Sequence, residues 1–517
     1  MGDTITVTFG QPVVVTSAVN PATEFVLPVK GNSFGAGATL AAGMTNTEVV
    51  ITLGSLPNLR ISGSFSVASV GSGDPTGIDV PAVATGHIKT STGATPKAGA
   101  VDLGGAYTEQ WQAGPTLNQP RGLHTATLLD DGRILVVGGL VYFPAGNGVP
   151  AGLGYANMSE VYDPMANAFV QTSQLAGGPQ GDMFTTATVG GTPMTVEVLR
   201  TEHTATLLQD GRVLLVGGYG IESLDTTGNA VQGDLMTAHL FDPKTNTFTQ
   251  TGSLTTAREQ HTATLLPNGT VLVAGGFNGA MGTGTPPSGA TLQSAEIFNP
   301  ATGTFTTTLG TLATPRMDQV AAYDAASNQV LLSGGVVVQT PTGATAPQLF
   351  LSGGAECWDV TRSVFVAATS MPAQDLRWQA AAVTSAGIVI AGGNGTAVVT
   401  SEVDLYTGGK YSELGALVTS RARAQAAVLG GNVVVVAGGT SLNGMANHEL
   451  ASVEVVNTDS LKVEVAPAMT HARNSFTATA LANGKVIAIG GLAGDNGQDP
   501  ESLGGVPVPV AELYSRP

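Results

Sequence analysis

Short apolar runs, each closed by two glycines, recur seven times along this chain. The pairs are Gly138-Gly139, Gly217-Gly218, Gly275-Gly276, Gly334-Gly335, Gly392-Gly393, Gly438-Gly439 and Gly490-Gly491. They close runs such as Ile134-Leu135-Val136-Val137 and Val271-Leu272-Val273-Ala274. Upstream of the pairs stand Arg121, Arg200, Arg258, Arg316, Arg377, Arg421 and Arg473, one for each. Self-similarity at a period of roughly fifty residues indicates a propeller or a solenoid, because one such unit cannot bury its apolar face alone.

A full repeat predicts four strands. In the third, strand a is His261–Leu266, followed by the turn Pro267-Asn268-Gly269 and a strand b ending at Gly275-Gly276. A variable loop leads to strand c (Ala295–Phe298), a turn with Asn299-Pro300 and strand d (Thr304–Thr307). Four antiparallel strands make one blade. The last repeat stops at a c-type strand, Ala511–Tyr514, whereas a spare d-type strand, Tyr107–Trp111, precedes the first arginine. Joining the two closes a seven-bladed ring and removes two exposed sheet edges.

Residues 1–90 carry no such repeat. Short strands are expected at Thr4–Phe9, Val13–Thr16, Glu24–Val29, Glu48–Leu53 and Leu59–Val67, the last alternating apolar and polar positions. They predict a small β-sandwich, with an immunoglobulin-like form as one option. Residues 91–103, with Ser91–Ala100 small, polar and Pro/Gly-bearing, read as a linker, and residues 104–517 as the propeller.

From about residue 105 onward the chain resembles the kelch-repeat β-propellers of the exported bacterial and phage-associated kind. Arg-x-x-His-Thr-Ala-Thr-Leu-Leu, Asp-Gly-Arg-Val-Leu-Leu-Val-Gly-Gly and the strand-c turn with Glu, Tyr/Phe and Asp/Asn-Pro carry the likeness. Repeats one to three fit it closely; four to seven lose the histidine. The resemblance implies an all-β, seven-bladed kelch propeller behind an N-terminal β-sandwich. It is unspecific for activity, since this fold hosts oxidases, adhesins and scaffolds.

Composition narrows the function classes. Charged residues make up 11 % of the chain and the formal net charge is −17, with no basic cluster, which argues against nucleic-acid binding. The single cysteine, Cys357, excludes an intramolecular disulfide and a cysteine metal cage. No apolar stretch reaches the ~18 residues of a membrane-spanning helix, and the start does not read as a signal peptide. No Ser-His-Asp spacing, phosphate-binding glycine loop or sialidase-like Asp box is present.

The arginines are expected to form a structural ring with strand-c carboxylates. Glu160, Glu296, Glu356, Glu402, Glu454 and Glu512 recur at one repeat position, with His239 in the second repeat. A charge matched repeat by repeat suits buried ion pairs better than a ligand site. His124, His203 and His261, each followed by Thr-Ala-Thr, read as packed repeat residues rather than zinc ligands. Galactose oxidase uses a seven-bladed kelch propeller with copper and a Tyr–Cys cross-link. Here Cys357 lies inside strand c of the fourth repeat and the Tyr-His dipeptide of that copper site is absent, so no copper is expected.

Strand a begins and strand b ends on one face, which therefore collects the b–c and d–a connections. Five b–c loops are long: Leu140–Met158, Tyr219–Thr237, Phe277–Gln293, Val336–Gly354 and Leu492–Val510. Binding residues tend to lie on such loops. Beside the insertion Gln171–Leu199 stand Tyr142, Phe143, Tyr155, Tyr219, Glu222, Asp225 and Asp234, a set suited to stacking on sugar rings and bonding their hydroxyls. The plainer reading is that these aromatics pack the loops together. Asp495, Asp499 and Glu501 offer oxygen ligands for calcium, although a solvated acidic turn is the simpler expectation.

These features lead to a non-enzymatic binding or adhesion protein outside the cytoplasm, on a cell surface or virion. A surface glycan or protein receptor would meet the looped face, and the N-terminal domain would anchor it to a host assembly. No nucleic acid, membrane insertion or required cofactor is expected. A carbohydrate-active enzyme using Glu222, Asp225 or Asp234 and a structural assembly component are the alternatives.

Overall fold

The computed structural model describes residues 4–8, 13–15, 38–42, 48–52, 78–80, 88–90, 99–101, 110–143, 152–176, 183–189, 192–280, 288–342, 346–396, 398–443, 446–494 and 506–516. The chain divides into two compact bodies. The larger comprises Gln110–Leu481 and Val486–Tyr514; the smaller is Met1–Glu109 with Ala482–Lys485 and Ser515–Pro517.

Among the described residues of the smaller body, Glu48–Thr52 is the middle strand of a three-stranded sheet, between Thr4–Thr8 and Thr39–Ala42. Val13–Val15 pairs with Ile88–Thr90, and Ile78–Val80 with Gly99–Val101. Gly99 and Ala100, assigned to the linker from their composition, are therefore strand residues. Small side chains do not prevent a ladder when a partner strand is present. The strands expected at Glu24–Val29 and Leu59–Val67 lie outside the described residues.

The larger body is built from seven four-stranded antiparallel sheets among the described residues. In the first, strands a to d are Thr125–Leu128, Ile134–Val137, Glu160–Asp163 and Ala168–Gln171, paired in that order. The seventh takes three strands from its own repeat, Thr477–Ala480, Lys485–Ile489 and Val510–Ser515, and its fourth from Gln110–Thr116. The N-terminal strand thus completes the last sheet, three to five residues later than Tyr107–Trp111. Its register follows side-chain fit. The Trp111 and Tyr514 rings lie 5.2 Å apart, and at Gly114 a Cβ would press on the Ala511 carbonyl.

Strand b explains the uninterrupted apolar runs: it is buried on both faces. Leu135 and Val137 pack against Val213 and Leu215 of the second sheet, while Ile134 and Val136 pack against Ile487 and Ile489 of the seventh. The same alternation carries Leu214 and Val216 to Val271 and Val273, and Leu272 and Ala274 to Val330 and Leu332. Leu331 meets Ile388 and Ile390; Val389 and Ala391 meet Val434 and Val436; Val435 and Ala437 meet Val486 and Ala488. Among the described residues, each sheet thus shares a core with the next, and the seventh sheet packs against the first. Each fully buried Val, Leu or Ile contributes about 1.5–3 kcal/mol, so strand b anchors its sheet on both sides. This all-β arrangement fits a β-propeller in its coarse architecture.

The long b–c loops are mostly hairpins, not irregular loops. Leu140–Phe143 pairs with Gly152–Tyr155, Tyr219–Leu224 with Ala230–Asp234, Phe277–Ala280 with Ser288–Thr291, and Val336–Gln339 with Gln348–Leu351. Leu492–Ala493 and Val506–Pro507 make a shorter one. The sixth repeat adds Thr440–Asn443 with Ala446–Glu449. Backbone groups leaving a buried strand need partners, and a hairpin supplies them locally. The insertion after the first repeat likewise folds as Phe184–Val189 against Thr192–Glu197.

Deleting Gln110–Thr116 removes the edge strand of the seventh sheet and bares the backbone of Val510–Ser515. The expected result is a lower melting temperature with concentration-dependent light scattering. Cooperative melting at the parental temperature would contradict that role.

Candidate functional site

Each glycine pair is the meeting point of two repeats. Gly138 and Gly139 both have positive φ, and a Cβ on Gly138 would collide with the Arg200 carbonyl. That carbonyl accepts the Gly139 N–H at 2.9 Å. The Arg121 guanidinium bonds the Gly138 carbonyl at 3.1 Å and Glu160 at 2.9 Å. Glu160 also accepts the backbone N–H groups of Asn118 and Gln119. Equivalent pairs join Arg258 to Glu296 (3.0 Å), Arg316 to Glu356 (2.9 Å), Arg421 to Glu454 (2.8 Å) and Arg473 to Glu512 (2.5 Å), all essentially buried.

The fifth repeat departs from this, and the expectation for Arg377 and Glu402 is corrected. The carbonyl that accepts the Gly335 N–H belongs to Leu376, so Leu376 holds the arginine position. Likewise Ile390, two residues before the glycine pair, faces Asp404 across the ladder, as Leu332 faces Glu356. Arg377 is half-buried and its guanidinium stacks 3.7 Å from the Trp378 ring centroid. Glu402 sits at the start of strand c, two residues early, and is half-buried. One residue of slippage in the sequence pattern moved the first partner off its position, and two the second.

The second repeat replaces the carboxylate with His239, whose Nδ1 accepts from Arg200 at 3.1 Å while its Nε2 donates to the Phe184 carbonyl of the inserted hairpin. Burial beside Arg200 pushes His239 down to about 3, so it stays neutral. Without an anion on strand c, burial lowers Arg200 to about 10. The strand-a histidines pin adjacent repeats together. His124 Nε2 meets Thr477 Oγ1 (3.1 Å), His203 meets Thr125 (3.0 Å) and His261 meets Thr204 (3.0 Å). Burial next to arginines holds His124 and His261 near about 3 and His203 well below its ordinary value.

Two residues past the arginine position, every repeat has a left-handed residue: Leu123, Glu202, Gln260, Asp318, Trp378, Arg423 and Ser475, with φ between 49° and 57°. Such non-glycine conformations cost of order 1–3 kcal/mol each unless their surroundings enforce them. Here the enforcement is a collar of bonds between repeats. Leu123 donates to Ser475 O, Thr201 Oγ1 to Leu123 O, Gln260 to Glu202 O, Asp318 to Gln260 O and Arg423 to Trp378 O.

The collar is polar and uneven. On one side the Trp378 ring lies between the guanidinium groups of Arg377 (3.7 Å) and Arg423 (3.8 Å). Elsewhere on it, Glu259 stands within electrostatic reach of Glu202, Asp234 and Asp318, and Tyr155 and Tyr219 within reach of Glu259. Tyr219 and Asp234 are cross-strand neighbours, and Asp234 Oδ2 accepts the Gly279 N–H at 2.5 Å. Glu259 is 4 % exposed, and its Oε1 and Asp234 Oδ1 lack hydrogen-bond partners among the described residues. Burial, reinforced by Glu202, Asp234 and Asp318, pushes Glu259 up to about 9. Burial and Asp318 raise Glu202 to about 7, and burial raises Asp234 to about 6. The Tyr155 and Tyr219 hydroxyls are also raised, by burial and by Glu259 among their neighbours.

The seven residues proposed from the sequence therefore separate into three groups. Tyr142 and Phe143 are exposed on the first hairpin (45 % and 48 %), with the Phe143 ring lying over Gly154. Tyr155, Tyr219 and Asp234 belong to the acidic recess. Glu222 and Asp225 are corrected: their oxygens serve the backbone. Glu222 accepts from Met236 and Thr237 (both 3.0 Å), and Asp225 caps its own turn through Thr227 and Asn229. Asp495, Asp499 and Glu501 lie outside the described residues. Glu202, Glu259 and Asp318 were missed, though each follows a repeated arginine by one or two residues. On the opposite face, Asp131 and Asp210 are held by Arg133 (2.7 Å) and Arg212 (2.6 Å) within their own turns.

No family model matches the chain. It is 34 % identical over 105 residues to the spermatocyte protein spe-26 of Caenorhabditis elegans, a match covering 20 % of this chain and 16 % of that protein. The solved structure of YjhT superposes with a TM-score of 0.44 at 13 % identity, covering 60 % of this chain and 93 % of that one.

Arg316→Ala is expected to lower stability by about 3–5 kcal/mol, because Glu356 keeps its burial and loses its cation. Asp404→Asn, in the repeat whose arginine position is Leu376, is expected to leave stability equal or higher. Urea unfolding of both variants measures the contrast.

The recess also sets a pH dependence. Carboxyls raised in the fold bind protons more tightly folded than unfolded, so their stabilisation is full below about pH 4.5 and is lost as pH rises. The lowered histidines act oppositely, losing stability as pH falls below about 6.5. Above pH 7 the histidines are neutral in both states, and the loss between pH 7 and 9 belongs mainly to Glu259. Glu259→Gln is expected to flatten that limb of a melting-temperature profile.

Proposed function

We propose that the chain is a seven-bladed kelch-type β-propeller that binds a surface glycan or protein receptor through its looped face. It works without catalysis, outside the cytoplasm, on a cell surface or virion, with residues 1–90 forming a sandwich that anchors it to a larger assembly. The seven consecutive cores, the N-terminal strand in the seventh sheet and the repeated Arg–Gly–Gly junction support the blade count. The observation that carries the binding reading is the contrast between faces. One presents the exposed rings of Tyr142 and Phe143; on the other, the Asp131–Arg133 and Asp210–Arg212 pairs lie within their own short turns.

The enzymatic alternative loses two of its three candidates and keeps Asp234, since a carboxylate bound to two backbone N–H groups is ill placed to exchange a proton with substrate. Glu222 and Asp225 are both of that kind.

Replacing Tyr142 and Phe143 by Ala is expected to weaken binding about 5- to 150-fold, taking roughly 0.5–1.5 kcal/mol for each aromatic contact. Labelled protein on a glycan array and on bacterial cell envelopes provides the measurement. Asp131→Ala with Lys244→Ala, on the short-turn face, is the control and is expected to bind normally. Loss of binding in the control alone would put the functional surface on the other side.

A further inference from the structure

The groups that act on the buried Glu259 carboxyl are themselves carboxyls, those of Glu202, Asp234 and Asp318. Arg200, Arg258 and Arg316, which shortly precede Glu202, Glu259 and Asp318, are committed elsewhere. Arg200 is held by Gly217, Thr237 and His239; Arg258 by Gly275, Ser294 and Glu296; Arg316 by Gly334 and Glu356. Arg423 stacks on Trp378 and reaches Glu202 electrostatically. The remaining groups facing Glu259 are Glu202, Asp234, Asp318, Tyr155 and Tyr219. Burying a carboxyl without a partner is costly, and here two buried oxygens, Glu259 Oε1 and Asp234 Oδ1, have none among the described residues.

We propose that this recess receives a primary ammonium group carried by the ligand, with Glu259 and Asp234 as its acceptors and Tyr155 and Tyr219 as its aromatic wall. An ammonium offers three N–H donors, which matches two orphaned carboxyl oxygens plus a third acceptor from a tyrosine hydroxyl. Tyrosine faces favour the same ion through cation–π attraction. A bare metal ion suits the site less well. Among the described residues no three His, Cys, Asp or Glu side chains stand close enough to hold one. An ammonium also replaces the proton that the isolated protein keeps on Glu259, so binding releases a proton and strengthens as pH rises.

This inference rests on the looped face being the binding face and names the chemistry it selects. The amine has two natural sources, a de-N-acetylated amino sugar or a lysine side chain, and the test separates them. Titration calorimetry of the full chain would use chitosan trisaccharide, its fully N-acetylated form and Nα-acetyl-lysine methylamide, in two pH 7.5 buffers of different ionisation enthalpy. One free amine is expected to bind at least tenfold more tightly than the acetylated sugar, with proton release, and more tightly at pH 8 than at pH 6. Whichever of the two amines binds identifies the source. Glu259→Gln and Asp234→Asn are each expected to weaken it at least tenfold, and melting curves at pH 8 confirm that both are folded. Equal binding of the acetylated sugar, no binding of either amine, or unchanged affinity in folded Glu259→Gln would overturn the site. If the amines fail while the Tyr142/Phe143 variant still loses envelope binding, the ammonium site falls and the surface-binding reading stands. If an amine binds while the Tyr142/Phe143 variant leaves envelope binding intact, the site stands and the role given to those two rings falls.

Discussion

The junction between one arginine and one glycine pair organises the larger body. The guanidinium bonds the first glycine carbonyl and the strand-c carboxylate of its own repeat, while its carbonyl receives the second glycine N–H of the preceding repeat. One residue therefore fixes the end of strand b, the start of strand c and the contact with the neighbour. Both glycines need positive φ, and at the first no room exists for a side chain, so the motif admits no substitute on the glycine side. A buried arginine is tolerated here because its terminal NH groups are engaged by carbonyls and by the strand-c partner, although the Nε of Arg200, Arg258 and Arg316 has no partner among the described residues.

The two exceptions show what the junction requires. In the second repeat a neutral histidine replaces the carboxylate because the inserted hairpin brings the Phe184 carbonyl to its other nitrogen. In the fifth, Leu376 replaces the arginine and Asp404 remains as a carboxyl pushed up to about 6 by burial, Glu402 and Glu413. The backbone bond from Gly335 survives with leucine. Repeat-to-repeat joining is therefore a main-chain property, and the ion pair reinforces the sheet within a repeat.

The same junction generates the candidate site. Because the chain turns through a left-handed residue two positions after the arginine position, every repeat places one side chain on the collar. The scaffold is indifferent to what that side chain is, so its identity varies from Leu123 to Glu202 to Trp378. Variation at a position with a fixed backbone lets one collar carry acids on one side and stacked guanidinium groups on the other.

Much of the fold was legible in the residues alone. The apolar runs, glycine pairs and arginines are local signals, and burial on both faces of strand b leaves no polar alternation to confuse them. The spare strand before the first arginine was also readable, because sheet edges must be paired. Its end points were not, since the Trp111–Tyr514 contact and the passage at Gly114 set the register. The displaced Arg377 and Glu402 were unreadable for a related reason. Residue type suggested a pair, but hydrogen-bond register assigned the positions to Leu376 and Asp404. The recess depended on tertiary structure most of all. Glu202, Asp234, Glu259 and Asp318 come from three consecutive repeats and are separated by many residues, and only the side-by-side packing of those repeats brings their charges together.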